Sequence, residues 1–335
     1  MPKISVIMST YNEERYIADA VGSILGQTFR DLEFIIIDDA STDRTPEILE
    51  SINDSRVIFH RNPENLGLTV NLNRALKEAK GEFIARMDGD DISRPKRLEK
   101  QLHYMDAHPD VALAGCDTKN FGQNGLIWRL KDDPEELRIR MLLHPVLAHP
   151  TFFMRRSLTE RGFCYDESFR TAQDYDLASR IAKSEKIGRV PEILLDYRVH
   201  EKQVSSVDPS GQSGNAKRVR DRLFSEIGAE LTPELTDVRE QWAAEICPGS
   251  AGVFYEAVRI IGLITEANKK SRIHEDAKLE KTLKKMLCTW LIRTKNPDHL
   301  KEAPSILGHS LYDMTVFAGE GLRTVKEKCL NRICH

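Results

Sequence analysis

The chain has 335 residues, 40% hydrophobic and 30% charged, with a formal net charge of −3. It is long enough for a sizeable core and more than one domain, and its composition excludes a disordered chain. The charge balance lacks the polycationic signature of a nucleic-acid binder, and no run approaches the roughly 18 apolar residues of a membrane span.

The N-terminus runs from Met1-Pro2-Lys3 into a short apolar stretch, Ile4 to Met8, too short for a signal segment. Ile4–Met8 reads as a buried strand. Glu13 to Leu25 reads as a helix with Ile17, Val21, Ile24 and Leu25 on one face. Phe34-Ile35-Ile36-Ile37 is a second strand, nearly unbroken, as in a sheet covered on both faces. Ser41 or Asp43 can cap the next helix. Val57–Phe59 is a third strand, Leu66 to Ala79 a helix with Gly81 suited to its C-terminal end, and Phe83–Ala85 a fourth strand. This βαβα rhythm predicts an α/β fold with a doubly wound, mainly parallel sheet.

From Val111 the pattern becomes mixed, with short strands expected at 111–114, 151–154 and 193–199, and a helix at Gln173–Ala182. The expected division is a catalytic domain over 1–206, with a nucleotide-binding half (1–110) and an acceptor half (111–206). A polar linker over 207–215 and a helical C-terminal region over 216–335 follow. Thr232-Pro233-Glu234 is a helix start, and Leu279, Leu283, Met286, Leu287, Trp290 and Leu291 share one helical face. The six cysteines, Cys116, Cys164, Cys247, Cys288, Cys329 and Cys334, form no CxxC pair. Reduced thiols in a cytoplasm are the simplest reading.

The strongest chemical signal is Asp88-Gly89-Asp90-Asp91, just past the fourth strand. Its three carboxylates repel one another unless a cation neutralises them. Hard divalent cations choose such oxygen ligands and share them with phosphates. Ligands of doubly wound sheets bind beyond the carboxyl ends of strands. A second signal is Thr10-Tyr11-Asn12-Glu13-Glu14. The Tyr11 ring can cover a base, and main-chain N–H groups at a helix start can meet phosphate; simple capping by Thr10 or Asn12 explains the same residues. Asp39, after the second strand, can accept from a ribose hydroxyl or a base N–H. Asp174, in Gln173-Asp174-Tyr175-Asp176, can act as a general base on a hydroxyl. Helix capping explains both as well.

In order, Ser5–Glu14, Ile36–Thr45, Asn65-Leu66-Gly67, Ala85–Asp91, Gln173–Leu177 and Tyr197-Arg198-Val199-His200 closely resemble family 2 glycosyltransferases of the glycosyltransferase A fold. The resemblance covers about residues 3 to 206. It implies a nucleotide contact at Thr10, Tyr11 and Glu13, a base-binding acid at Asp39, and Asn65 and Asp88 on the donor side. Asp88-Gly89-Asp90 matches the DxD that holds Mn2+ or Mg2+ against the diphosphate. Asp90 is its closest ligand, Asp88 lies nearer the ribose, and Asp91 either binds metal or orients the site. His200 resembles the histidine that completes the metal site in some relatives, and Asp174 matches the catalytic base. The family's commonest dipeptide there is Glu-Asp, so Gln173 is a departure. His149 borders the acceptor or forms a structural turn before Pro150. The chain lacks a QxxRW-type segment, which favours single-sugar transfer.

The implied reaction is inverting transfer from a nucleotide diphosphate sugar, with a lean to uridine, onto a saccharide or lipid-linked acceptor. The implied setting is cell-surface polysaccharide or lipopolysaccharide synthesis. From Lys269 to His335 there are 14 Lys plus Arg against 8 Asp plus Glu. That surplus suits either a peripheral contact at the inner membrane face or a solvated helical cap or homo-oligomer contact. The competing functions are a sugar-phosphate nucleotidyltransferase, whose Gly- and Arg-rich loop is missing after the first strand, and a non-catalytic nucleotide-sugar-binding subunit.

Overall fold

The computed structural model describes residues 1–122, 125–130, 132–201, 203, 209–250 and 252–293. Strands β1 (Ile4–Thr10), β2 (Leu32–Asp38), β3 (Val57–Arg61) and β4 (Phe83–Arg86) alternate with helices α1 (Ile17–Leu25), α2 (Thr45–Glu50) and α3 (Leu68–Glu78). The chain continues through β5 (Ile92–Ser93), α4 (Arg97–Ala107), β6 (Val111–Phe121), β7 (Ile127–Trp128), α5 (Pro134–Arg140), β8 (Phe153–Arg155), α6 (Ser157–Glu160), α7 (Gln173–Ser184) and β9 (Lys186–Arg198). Helices α8 (Pro209–Ile227), α9 (Pro233–Ala243), α10 (Gly252–Ser271) and α11 (Asp276–Arg293) complete the described part. This is the expected α/β fold with a helical C-terminal region.

The sheet order is β3-β2-β1-β4-β8-β6-β9-β5, with β7 on β6. The first four strands pair in parallel, β8 is antiparallel to β4 and β6, and β6 and β9 run parallel. β1, β2 and β4 are buried along nearly their whole length, as strands with helix-covered faces must be. Parallel pairing sets Thr10 beside Asp38 at the carboxyl ends of β1 and β2, while β4 ends at Arg86, beside Ile7.

Several boundaries differ from the sequence reading. α1 begins at Ile17, because Asn12 takes a left-handed conformation (φ 57°) and Glu13–Tyr16 form a turn. β9 is much longer than expected. Pro191 has no N–H for the ladder, and the register jumps from Cys116↔Val190 to Asp117↔Ile193, so Pro191 and Glu192 bulge out and the strand continues. Residues 149–151 form a 3-10 turn before β8. The linker reading of 207–215 fails from Pro209 on, since Pro209–Asn215 are the first turns of α8; proline is well placed at a helix start, and Val219, Phe224 and Ile227 anchor the helix by burial. Residues 207, 208 and 294–335 lie outside the described residues.

Two compact units emerge, one of Met1–Met141 and Pro145–Val219, the other of Leu142–His144 and Arg220 onward. The second unit's core stacks Trp242 on Trp290 at 6.1 Å and sets Phe254 against Trp290 at 4.8 Å. Leu279, Leu283, Met286, Leu287 and Leu291 are buried with them. The Thr232 hydroxyl accepts from the Leu235 amide, ahead of Pro233.

Gly81 serves a different purpose from a helix cap. Its N–H donates to Ser5 Oγ at 2.7 Å, and that hydroxyl donates to the buried Glu33 carboxylate at 2.5 Å. A methyl on Gly81 would sit 2.4 Å from Ser5 N and 2.7 Å from Ile4 C, both backbone atoms of β1. Gly81→Ala should therefore destabilise the protein by about 1–3 kcal/mol, as overpacking does, whereas Gly214→Ala, with nothing within 4 Å of the added methyl inside α8, should stabilise by about 0.5–1 kcal/mol. Urea unfolding of the two variants measures both signs.

Candidate functional site

The loops that follow β1 and β2 are tied together. The amides of Asn12, Glu13 and Glu14 donate to Ser41 Oγ (2.9 Å), Thr45 Oγ1 (2.8 Å) and Asp43 Oδ2 (3.1 Å), and the Thr42 amide donates to Asn12 Oδ1 at 2.8 Å. Asn12 and Ala40 are both left-handed, at φ 57° and 61°. The N–H groups of residues 12–14, expected to face a phosphate, are thus already partnered within the protein. Thr10 is buried with its hydroxyl lacking a hydrogen-bond partner, and Tyr11 is 47% exposed.

Asp39 anchors the next loop. Its carboxylate accepts from Asn62 Nδ2, Leu66 N and Gly67 N, each at 2.8 Å, and its carbonyl from Asn65 Nδ2 at 3.3 Å. Gly67 adopts φ 89° to present its amide before α3. Burial opposes ionisation of Asp39, but the Asn71 side chain, the Leu66 amide, the Asn62 side chain and the Gly67 amide outweigh it and hold the carboxyl below its usual range. Beside it opens a cavity of about 470 Å³ lined by Ala40, Ser41, Thr42, Arg61, Asn62 and Pro63.

The carboxylates of Asp88, Asp90 and Asp91 offer ligand atoms that all lie within 4.8 Å of one another. His200 Nε2 lies 2.9 Å from Asp90 Oδ2, and its ring packs against Tyr16. Asp91 is fully buried; Oδ1 accepts from the Arg198 amide at 2.8 Å, and Oδ2 has no partner. Burial, then Asp90 and Asp88, push the Asp91 carboxyl well up; burial likewise raises Asp88, against the opposing charge of Arg86. Such a set fits a hard divalent cation, which would accept the orphaned oxygen and relieve the repulsion. Gly89 closes the loop over Thr10 and Glu13, with its pro-Cβ position 3.0 Å from Thr10 Oγ1 and 3.4 Å from Glu13 Cγ.

Asp174 occupies the first turn of α7, behind Ala172 in the left-handed region at φ 56°. Burial raises its carboxyl, while the Tyr175 amide and Arg86 pull the other way. Asp176 is committed to Arg180 Nε at 2.8 Å. Gln173 is buried and its amide oxygen lacks a partner; a neutral amide costs less there than a carboxylate would. His149 is buried in the 3-10 turn, 2.8 Å from Tyr165 Oη. Burial holds its imidazole well below the usual range, so it is neutral.

Two arginines escaped the sequence reading. Arg198 lies between the Tyr16 and Phe121 rings at 4.3 and 4.4 Å and donates through Nε to the Asp90 carbonyl at 2.7 Å. Arg86, 3% exposed at the end of β4, pairs with Asp88. The available signal for Arg86 was a charge in an otherwise apolar strand, Phe83-Ile84-Ala85-Arg86-Met87.

The sequence model described as Glycosyl transferase family 2 matches residues 5–163. The chain is similar to an uncharacterized glycosyltransferase of Haemophilus influenzae, 32% identical over 65% of this chain and 72% of that one. It is also similar to the O-antigen biosynthesis glycosyltransferase WbnJ of Escherichia coli, 34% identical over 59% of this chain and 80% of that one. Its fold is similar to Staphylococcus aureus TarS residues 1–349 (TM-score 0.56, 19% identity, 88% of this chain and 92% of that one). The mannosyltransferase PcManGT of Pyrobaculum calidifontis, solved with GDP-Man and Mn2+, is similar too (TM-score 0.56, 18% identity, 94% and 87%).

Burial first, then the charges of Asp90, Asp88 and Asp43, push the Glu13 carboxyl up to about 8 from a usual 4.5. Between those values the folded chain binds a proton that the unfolded chain has released. Stability therefore falls as pH rises from 4.5 to about 8 and levels off above. In excess chelator, Glu13→Gln should flatten that decline, as read from melting temperatures across the interval; an unchanged slope would place the titration elsewhere.

Proposed function

Because the chain belongs to glycosyl transferase family 2, we propose that it is a metal-dependent, inverting glycosyltransferase moving one sugar from a nucleotide diphosphate to an acceptor hydroxyl. The observation that carries this reading is the Asp88/Asp90/Asp91 cluster, with its unpartnered buried oxygen, at the carboxyl end of β4. Asp90, Asp91 and His200 would hold the Mn2+ or Mg2+. That ion supplies stabilisation of the negative charge that develops on the departing diphosphate.

The nucleotide's base and ribose lie with Thr10, Tyr11, Glu13, Asp39, Asn65 and Asp88. Asp39 keeps the Asn65–Gly67 loop in place and is an anionic acceptor for a base N–H or ribose hydroxyl; the lean to uridine follows the family resemblance. Asp174 takes the acceptor's proton as its hydroxyl attacks the face opposite the leaving group, so the anomeric centre inverts. Asp174 suits the task because burial raises its basicity while Arg86 favours its ionised form. The relative named for O-antigen biosynthesis supports a saccharide or lipid-linked acceptor in surface polysaccharide synthesis. No described helix is long and apolar enough to cross a membrane.

Asp90→Ala should abolish Mn2+-dependent nucleotide binding in calorimetry and, with it, transfer; full activity in the variant or in excess chelator would refute the metal's part. Asp174→Asn should cut turnover about 10²–10⁴-fold with little change in donor affinity, and NMR of the wild-type product should show the anomer opposite to the donor's. Retention, or near-normal turnover in the Asn variant, would overturn the assignment.

A further inference from the structure

Two arginines are buried beside the acidic loop, and the fold uses them differently. Arg97 donates to the main-chain carbonyls of Arg86 and Pro150, a bracing role at the end of β4. Arg86 donates to no carbonyl through its guanidinium. Its guanidinium pairs through Nη2 with Asp88, while Nε and Nη1 are buried without hydrogen-bond partners. Its backbone is already held, since its amide donates to the Phe152 carbonyl at 2.8 Å and the strand is paired on both sides.

A buried ion pair is weak support for stability; apolar side chains of similar size commonly serve as well or better. The neighbours of Arg86 along the chain, Phe83, Ile84 and Ala85 in β4 and Met87 just after it, are such residues. What a cation does here that methionine would not is hold a carboxylate. Asp88 has a carboxylate oxygen within 4.8 Å of those of Asp90 and Asp91, and the repulsion of those acids would otherwise turn it away. The side chain of Asp88 is 27% exposed, whereas that of Arg86, its partner, is 4% exposed.

Resting on the donor-site reading above, we propose that Arg86 is a positioning residue for the nucleotide: it fixes the Asp88 carboxylate, aimed at the donor, and leaves Asp90 and Asp91 to take the cation. Arg86 acts through Asp88, and its effect belongs to donor binding more than to the stability of the sheet.

The test uses the full chain with UDP, and GDP as a second arm, titrated calorimetrically in Mn2+. Arg86→Met and Asp88→Asn should each weaken binding by about tenfold or more, and the combined variant should be no worse than either, the mark of two residues working as one. Arg86→Lys keeps the charge without the fork and should recover part of the loss. The double variant removes both buried charges, so it should melt at or above the wild-type temperature while its nucleotide affinity stays low. Additive losses, binding within twofold of wild type in Arg86→Met, or affinity that returns together with melting temperature in the double variant would overturn the proposal. A wild-type chain that binds neither nucleotide in Mn2+ would overturn the functional reading and this proposal with it; normal wild-type binding with indifferent Arg86 variants overturns this proposal alone.

Discussion

The structure is organised around mutual repulsion among carboxylates held at the end of a buried strand. Asp88, Asp90 and Asp91 fall within four residues, and Glu13 and Asp174 act on the same region electrostatically. In water such a group would spread apart. Here a parallel sheet beneath and the Arg198 strand beside it prevent that. Several consequences are visible: Glu13 holds its proton, Asp91 resists ionisation, and two arginines and a histidine surround the loop. An arrangement that raises its own electrostatic cost in this way is unfavourable for folding alone and fits a site poised for a cation.

Holding that loop requires rigid neighbours. The amides of residues 12–14, which a short loop would leave to solvent, are bound by side chains of residues 41, 43 and 45. Two non-glycine residues accept left-handed backbone to make that lacing possible. Asp39 performs the same service for the Asn65–Gly67 turn. The loops after β1, β2 and β3 consequently form one hydrogen-bonded rim, and the acidic loop after β4 closes on it where Gly89 approaches Thr10.

Much of this was legible in the sequence. Unbroken β-branched runs announced buried parallel strands, and the acids clustered where such strands end. Local signals failed where the deciding partner lay far along the chain. The strand expected at 193–199 starts at Lys186, because a two-residue bulge at Pro191 and Glu192, opposite Cys116 and Asp117, lets the ladder continue. Gly81 reads as a helix cap until the backbone of Ser5 is seen beside it. The polar run at Pro209–Asn215 reads as a linker because its helix is stabilised by apolar residues further on. Arg86 was invisible as a site residue because its partner is only two positions away but its meaning depends on burial.

The contrast between Glu13 and Asp174 shows how environment separates similar acids. Both are pushed upward first by burial. Around Glu13 the remaining charges are mainly negative, so the proton stays at neutral pH. Around Asp174 the next influences are the Tyr175 amide and the cation of Arg86, which favour the anion. Its place in the first turn of α7 adds the positive end of the helix. Negative neighbours thus add to the upward push of burial on Glu13, whereas an amide and a cation oppose it at Asp174. Arg86 contributes to the difference after the Tyr175 amide, acting on Asp88 by direct contact and on Asp174 by its field.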